Sequence, residues 1–122
     1  MNGTNIVFDT CAVINLIDRH SSLVIDDAQF FTSVIVRMEL LSKRIMSDED
    51  EQDIREFLDD VIIVPLNEEI EEKAIELRRN TTLKLPDSIV AATAIVLDAI
   101  LLTDDTHLLN LSWPGLRTLK II

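Results

Sequence analysis

The sequence predicts an α/β fold, a three-layer sandwich in which a mostly parallel central sheet is flanked by helices. Short apolar runs rich in strand formers alternate along the chain with longer segments of helical periodicity, the pattern of parallel strands joined by helical crossovers. One of those segments, Ile89 to Leu97, is apolar on every face, as a helix buried against a sheet must be. The 122 residues are 48% hydrophobic, enough for a sizeable core, with two glycines, three prolines and no repeat or linker, so a single domain over residues 1–122 is expected.

The first strand is Asn5 to Phe8, running directly into Asp9 and Thr10. Val13, Ile14, Leu16 and Ile17 then follow helical spacing. In an open α/β sheet ligands bind outside the carboxyl ends of strands, which makes Asp9 a candidate site residue. An acid or hydroxyl at this position also caps a helix, and alone that is the stronger reading. From Asp18 to Phe31 the pattern admits a short helix or a loop, with Gln29 to Thr32 as the second strand. Ser33 is placed to cap a helix from Val34 to about Ile45, with Met38, Leu41 and Ile45 as its apolar stripe. Glu39 lies beside that stripe. Its rival role is a surface pair with Lys43 four residues on, worth ~0.2–0.5 kcal/mol.

Ser47 to Asp60 reads as a polar helix with a thin apolar face at Ile54, Phe57 and Leu58. Its acid run, Asp48-Glu49-Asp50-Glu51, is solvated surface favoured by the helix dipole and carries no chemistry. Val61 to Val64 is the third strand, stopped by Pro65. Asn67 opens a helix to about Arg79, with Ile70, Ala74, Ile75 and Leu77 set among glutamates. Arg78 and Arg79 close it, where cations suit the dipole. Thr81 to Leu85 is a loop that exposes Lys84. Pro86 then opens the buried helix, with Asp87 and Ser88 in its first turn. Ile100 to Leu102 is the fourth strand, ended by Thr103-Asp104-Asp105. A short helix over Leu108 to Leu111 and a last strand over Leu116 to Ile122 complete the chain.

The net charge of -11 disfavours non-specific binding to nucleic acid and suits a divalent metal or a basic partner. The single cysteine, Cys11, excludes an internal disulfide and a thiolate metal cluster, and neighbouring negative charge hinders its ionisation. No N-terminal stretch resembles a signal peptide, and Ile89 to Leu97 is too short to span a bilayer, so a cytoplasmic protein with no membrane association is expected. No Ser-His-Asp arrangement or Gly-rich phosphate loop is present, and His20 and His107 read as surface residues.

With parallel strands, Asp9, Asp87 and the Asp104-Asp105 pair share one edge of the sheet, and Glu39 can reach in from its helix. Crowded carboxylates repel unless a cation neutralises them. Mg²⁺ or Mn²⁺ accepts such oxygen ligands, orients and deprotonates a water, and stabilises the departing oxygen of a phosphodiester. Thr10, Ser33 and Thr103 stand where they can hydrogen-bond the carboxylates or metal-bound water; each is also a natural cap or turn former. Acids make up 22 of the 122 residues, so some fall after strands by chance.

These residues resemble the PIN-domain family, in particular the VapC-like toxin ribonucleases of type II toxin–antitoxin pairs. The resemblance spans nearly the whole chain. It rests on Ile6-Val7-Phe8-Asp9-Thr10, on Thr32-Ser33-Val34 with Arg37-Met38-Glu39-Leu40, on Leu85-Pro86-Asp87-Ser88 with the buried run behind it, and on Leu101-Leu102-Thr103-Asp104-Asp105. It implies metal-binding acids at Asp9, Glu39, Asp87 and Asp105, with the late hydroxyl at Thr103; Asp104 occupies the variable place of that motif, as an auxiliary ligand or a bystander. It further implies a Mg²⁺- or Mn²⁺-dependent endoribonuclease that cuts structured RNA such as tRNA or ribosomal RNA. The implied assembly is a homodimer held by a small antitoxin, touching DNA only through that complex. The acidity is high for such an enzyme, and Arg37, Lys43, Arg78, Arg79 and Lys84 are the candidates for phosphate contacts. Two other readings stay open. One is a catalytically weak PIN-like module kept for binding a protein. The other is an aspartyl-phosphate phosphatase or receiver domain, although Cys11 stands where the phosphatase needs a second acid and Lys120 alone supports the receiver.

Overall fold

The computed structural model describes residues 3–19 and 27–121. The elements are β1 (Thr4–Phe8), α1 (Thr10–Asp18), β2 (Ala28–Ser33), α2 (Val34–Leu41), α3 (Asp48–Asp59), β3 (Ile62–Val64), α4 (Glu68–Asn80), α5 (Leu85–Val96), β4 (Ile100–Leu102), α6 (Thr106–Leu109) and β5 (Arg117–Leu119). All five strands are parallel, in the order β3-β2-β1-β4-β5.

β1 is the middle strand, and its sequence explains why. Successive strand residues point to opposite faces, yet Ile6, Val7 and Phe8 are all buried, so both faces of the sheet are covered. The Phe8 ring stacks on Phe30 of β2 at 5.6 Å and meets Phe57 of α3 edge-on at 5.2 Å. α5 packs across β1, β2 and β4. Its residues Ser88 to Ala94 are all buried, and the small side chains of Ser88, Ala91, Ala92 and Ala94 among them let the helix lie close to the strands. The serine and threonine return their hydroxyls to the helix's own carbonyls, Ser88 to Lys84 at 3.0 Å and Thr93 to Ile89 at 2.8 Å.

The order of strands locates the site. From β1 the chain steps outward to β2 and β3, then returns through α4 and α5 to lay β4 on the other side of β1. The carboxyl ends of β1 and β4 therefore flank the point where the winding reverses, the place where α/β sheets open a crevice for ligands. A receiver-like strand order, 2-1-3-4-5, is not observed.

Several elements differ from the sequence expectation. α2 stops at Leu41, and the residues it buries are Val36 and Leu40. Met38 and Ile45, expected on the apolar stripe, are 58% and 94% exposed. The helix ends before the polar Ser42-Lys43-Arg44 run, so Ile45 lies in the connection to α3. The helical repeat that faces the core is Val36 with Leu40, four residues apart. The short late helix begins at Thr106 rather than Leu108 because Asp105 caps it, and β5 is trimmed to three residues. His20, and residues 20–26 of the Asp18 to Phe31 stretch in which a short helix or a loop was expected, lie outside the described residues.

Candidate metal centre

Asp9 leaves β1 in extended conformation and becomes the N-cap of α1, its Oδ1 accepting from the Ala12 N–H at 2.8 Å. Capping and site formation are thus not rivals here, because one oxygen caps while the rest of the carboxylate faces its neighbours. Thr103, the first residue after β4, donates its hydroxyl to Asp9 Oδ2. The same hydroxyl oxygen accepts from the Asp105 N–H at 2.9 Å. Cys11 Sγ donates to Asp9 from 3.2 Å. Asp9 is only 5% exposed, and burial pushes its carboxyl above the usual range; the Thr103, Ala12 and Cys11 bonds oppose that rise and the charge of Asp105 adds to it. Burial likewise raises the Cys11 thiol, and the Asp9 charge adds to the effect, which keeps the sulfur protonated and a hydrogen-bond donor.

Asp87 sits in the first turn of α5, whose N-terminus has Pro86 in place of one free N–H and no side-chain cap. Burial raises its carboxyl first, followed by the negative charges of Asp105, Glu39 and Asp9; Lys84 opposes them. Acids from three other segments therefore bear on Asp87 at the switch point of the sheet. Glu39 is exposed on α2 and accepts the Thr10 hydroxyl at 2.9 Å across 29 residues. It forms this tie to the start of α1 in place of the expected surface pair with Lys43. Asp105 caps α6 through the His107 N–H at 2.8 Å, and the exposed His107 ring stands 3.3 Å from the same oxygen.

The remaining candidates divide by location. Ser33 is buried and caps α2 through Ile35 N at 3.2 Å. Lys84 is the exposed N-cap residue of α5, and Arg37 is exposed on α2. Arg78 donates to the Leu83 carbonyl at 2.7 Å and so braces the α4–α5 turn. Asp104 accepts from Asn15 Nδ2 through one oxygen and from the Ile121 N–H at 3.2 Å through the other. Asn15 received no role in the sequence reading. The signal for it is an amide four residues after Cys11, hence on the same face of an otherwise apolar helix.

Among the described residues, no group of three or more His, Cys, Asp or Glu side chains is placed to hold a metal ion. The donor set nevertheless fits a hard divalent ion by its chemistry. It is all carboxylate, Lys84 is the cation that opposes the rise at Asp87, and Mg²⁺ characteristically takes one or two carboxylates directly and keeps several waters.

The family model for the PIN domain matches residues 6–114. The chain is a PIN domain. Its fold is similar to that of VapBC2 from Rickettsia felis, a structure bound to a promoter DNA fragment, with a TM-score of 0.81, 20% identity, and 96% of this chain and 98% of that chain covered. It is similar also to DNA-bound VapBC from Salmonella typhimurium, with a TM-score of 0.76, 18% identity, and 96% and 98% covered. A toxin–antitoxin complex from Klebsiella pneumoniae is 26% identical, with a TM-score of 0.69 and coverage of 90% and 93%. No curated protein sequence matches this PIN domain. Among the described residues no helix is long and apolar enough to cross a membrane.

Proposed function

We propose that this PIN domain is a metal-dependent endoribonuclease that cuts structured RNA, tRNA or ribosomal RNA, as the toxin of a toxin–antitoxin pair. The observation that carries the reading is the buried Asp9, bonded through Thr103 to the Asp105 segment at the carboxyl edge of the sheet, with the negative charges of Asp105, Glu39 and Asp9 all bearing on Asp87. The likeness to a Klebsiella toxin–antitoxin complex at 26% identity supports the biological setting. A cytoplasmic homodimer, one domain per chain, bound by a small antitoxin and reaching DNA only through it, completes the proposal.

In this reading Asp9, Asp87 and Asp105 would hold Mg²⁺ or Mn²⁺. Bound there, the ion would supply charge neutralisation, an acidified water and stabilisation of the departing oxygen. The chain's own residues do the rest. Thr103 and Ala12 keep both oxygens of Asp9 in fixed directions, so the buried acid is presented in one orientation. Thr10 anchors Glu39, which positions the attacking water or takes its proton. Lys84, beside Asp87, and Arg37 contact the phosphates that flank the cut.

The test is cleavage of a mixed structured-RNA pool by purified protein with Mg²⁺, with Mn²⁺ and with chelator, beside Asp9→Asn and Asp87→Asn preparations. The amide introduced by Asp9→Asn retains an oxygen to cap α1, so the fold is expected to survive. Metal-dependent cutting lost in both variants is the expected result. Equal cutting by all preparations identifies a contaminant and overturns the assignment. No cutting and no metal binding leaves the partner-binding module as the function.

A further inference from the structure

The Thr103-Asp104-Asp105 run places three polar side chains in a row after β4, yet they do not point to one task. Thr103 and Asp105 are joined to each other and, through the Thr103 hydroxyl, to Asp9. Asp104 turns to α1 and to the segment after β5, where both carboxylate oxygens are taken by neutral donors, Asn15 Nδ2 and the Ile121 N–H. The Cys11 sulfur also stands 3.8 Å from the Thr103 hydroxyl oxygen. Cys11 and Asn15 lie one turn apart on the same face of α1, the helix that Asp9 caps. The β4–α6 loop is therefore tied to α1 at two heights, at Cys11 and at Asn15.

We propose that Asp104 is a positioning residue rather than a metal ligand: with Asn15 it forms a clamp that sets the distance between Asp9 and Asp105. The proposal rests on the metal-centre reading for what that distance serves, while the clamp itself is a property of the metal-free protein. A metal site tolerates deviations of only about 0.2 Å in its ligand distances, and groups that orient the ligands are worth about 10–100-fold in metal affinity. An aspartate suits the role because its two oxygens accept from two directions at once, one from a helix and one from the chain beyond the last strand.

The first arm uses metal-free protein and amide hydrogen exchange. The Ala12 N–H is bonded to Asp9 and the Asp105 N–H to Thr103, so both report the geometry of the site. Asn15→Ala and Asp104→Ala are each expected to lower protection at these two amides by about tenfold, while Val7 in the central strand keeps its protection. The reciprocal pair Asn15→Asp with Asp104→Asn restores an amide-to-carboxylate bond in the opposite direction and is expected to recover most of the protection. Unchanged protection in the single variants, or equal loss at Val7, overturns the clamp. The second arm is Mn²⁺ titration. Affinity reduced about 10–100-fold in Asp104→Ala and recovered in the reciprocal pair supports positioning. Loss as complete as in Asp105→Ala, without recovery, makes Asp104 a ligand and overturns the proposal. Wild-type protein that binds no Mn²⁺ while the exchange arm behaves as expected refutes the metal-centre reading and leaves the clamp standing.

Discussion

The first turns of α3 and α4 carry Asp48, Glu49, Asp50 and Glu51, and Glu68, Glu69 and Glu71, whereas the acids at the carboxyl edge of the sheet come singly from the ends of β1 and β4, from α2 and from the start of α5. The first group is denser along the chain and lies mostly exposed, with free helix N–H groups and local partners such as Arg55, 2.8 Å from Glu51. Each of those acids is where a helix dipole and water would keep it anyway. The second group is sparse along the chain and brought together by the fold, with Asp9 and Asp87 raised by burial and the charges of Asp105, Glu39 and Asp9 all bearing on Asp87. Density of like charge along a helix is surface chemistry. Convergence of like charge from distant segments requires a compensating partner.

The sharpest way to break this contrast is to neutralise one acid in each group. Asp87→Asn is expected to weaken Mn²⁺ binding at least about 100-fold, while Glu69→Gln on α4 leaves it unchanged; equal effects in a calorimetric titration would erase the distinction. A smaller effect concerns pH. Because burial raises Asp9 and Asp87 above 3.8, the metal-free native state keeps protons that the unfolded chain has already released. Their contribution to stability is therefore most favourable at or below pH 3.8 and is lost as pH rises through the raised native values. Urea unfolding of wild type and Asp87→Asn across that window reads the contribution as a difference, with the variant gaining relative stability as pH increases. The smallest effect belongs to α3, where Ser47 caps the helix through the Asp50 N–H at 3.0 Å. Ser47→Ala is expected to cost about 1 kcal/mol in thermal unfolding and nothing in metal affinity.

The same contrast explains what was legible in the sequence. The parallel α/β architecture was readable because β1 and α5 carry patterns that only burial on all sides explains, Ile6-Val7-Phe8 and Ser88 to Ala94. The meeting of Asp9 with Thr103 and Asp105 was legible because strand ends share an edge whatever the details of packing. Local periodicity misled in part in α2, where Met38 and Ile45 fit a helical stripe with Leu41 as well as Val36 and Leu40 do, yet of the three only Leu41 packs against the core. Which stripe faces inward depends on where the helix stops, and that is set by tertiary packing rather than by the spacing itself. The partners of Glu39 and Asp104 were illegible for a related reason. Lys43 is close to Glu39 along the chain, but Thr10 is 29 residues away, and no pattern of spacing announces a hydroxyl from another helix.

The hydrogen bond from Thr103 to Asp9 joins positions 94 residues apart. That separation has a bearing on synthesis, since a growing chain acquires its residues in order. A chain made only as far as α5 already holds Asp9, Glu39 and Asp87, but it has neither β4 to seat beside β1 nor Thr103 and Asp105 to close the edge. The loop that must close to join them is nearly the length of the protein, so this contact belongs late in folding. A ribosome making the protein would thus carry it in an incomplete form until the final strands emerge, a built-in delay for a protein proposed to cut RNA.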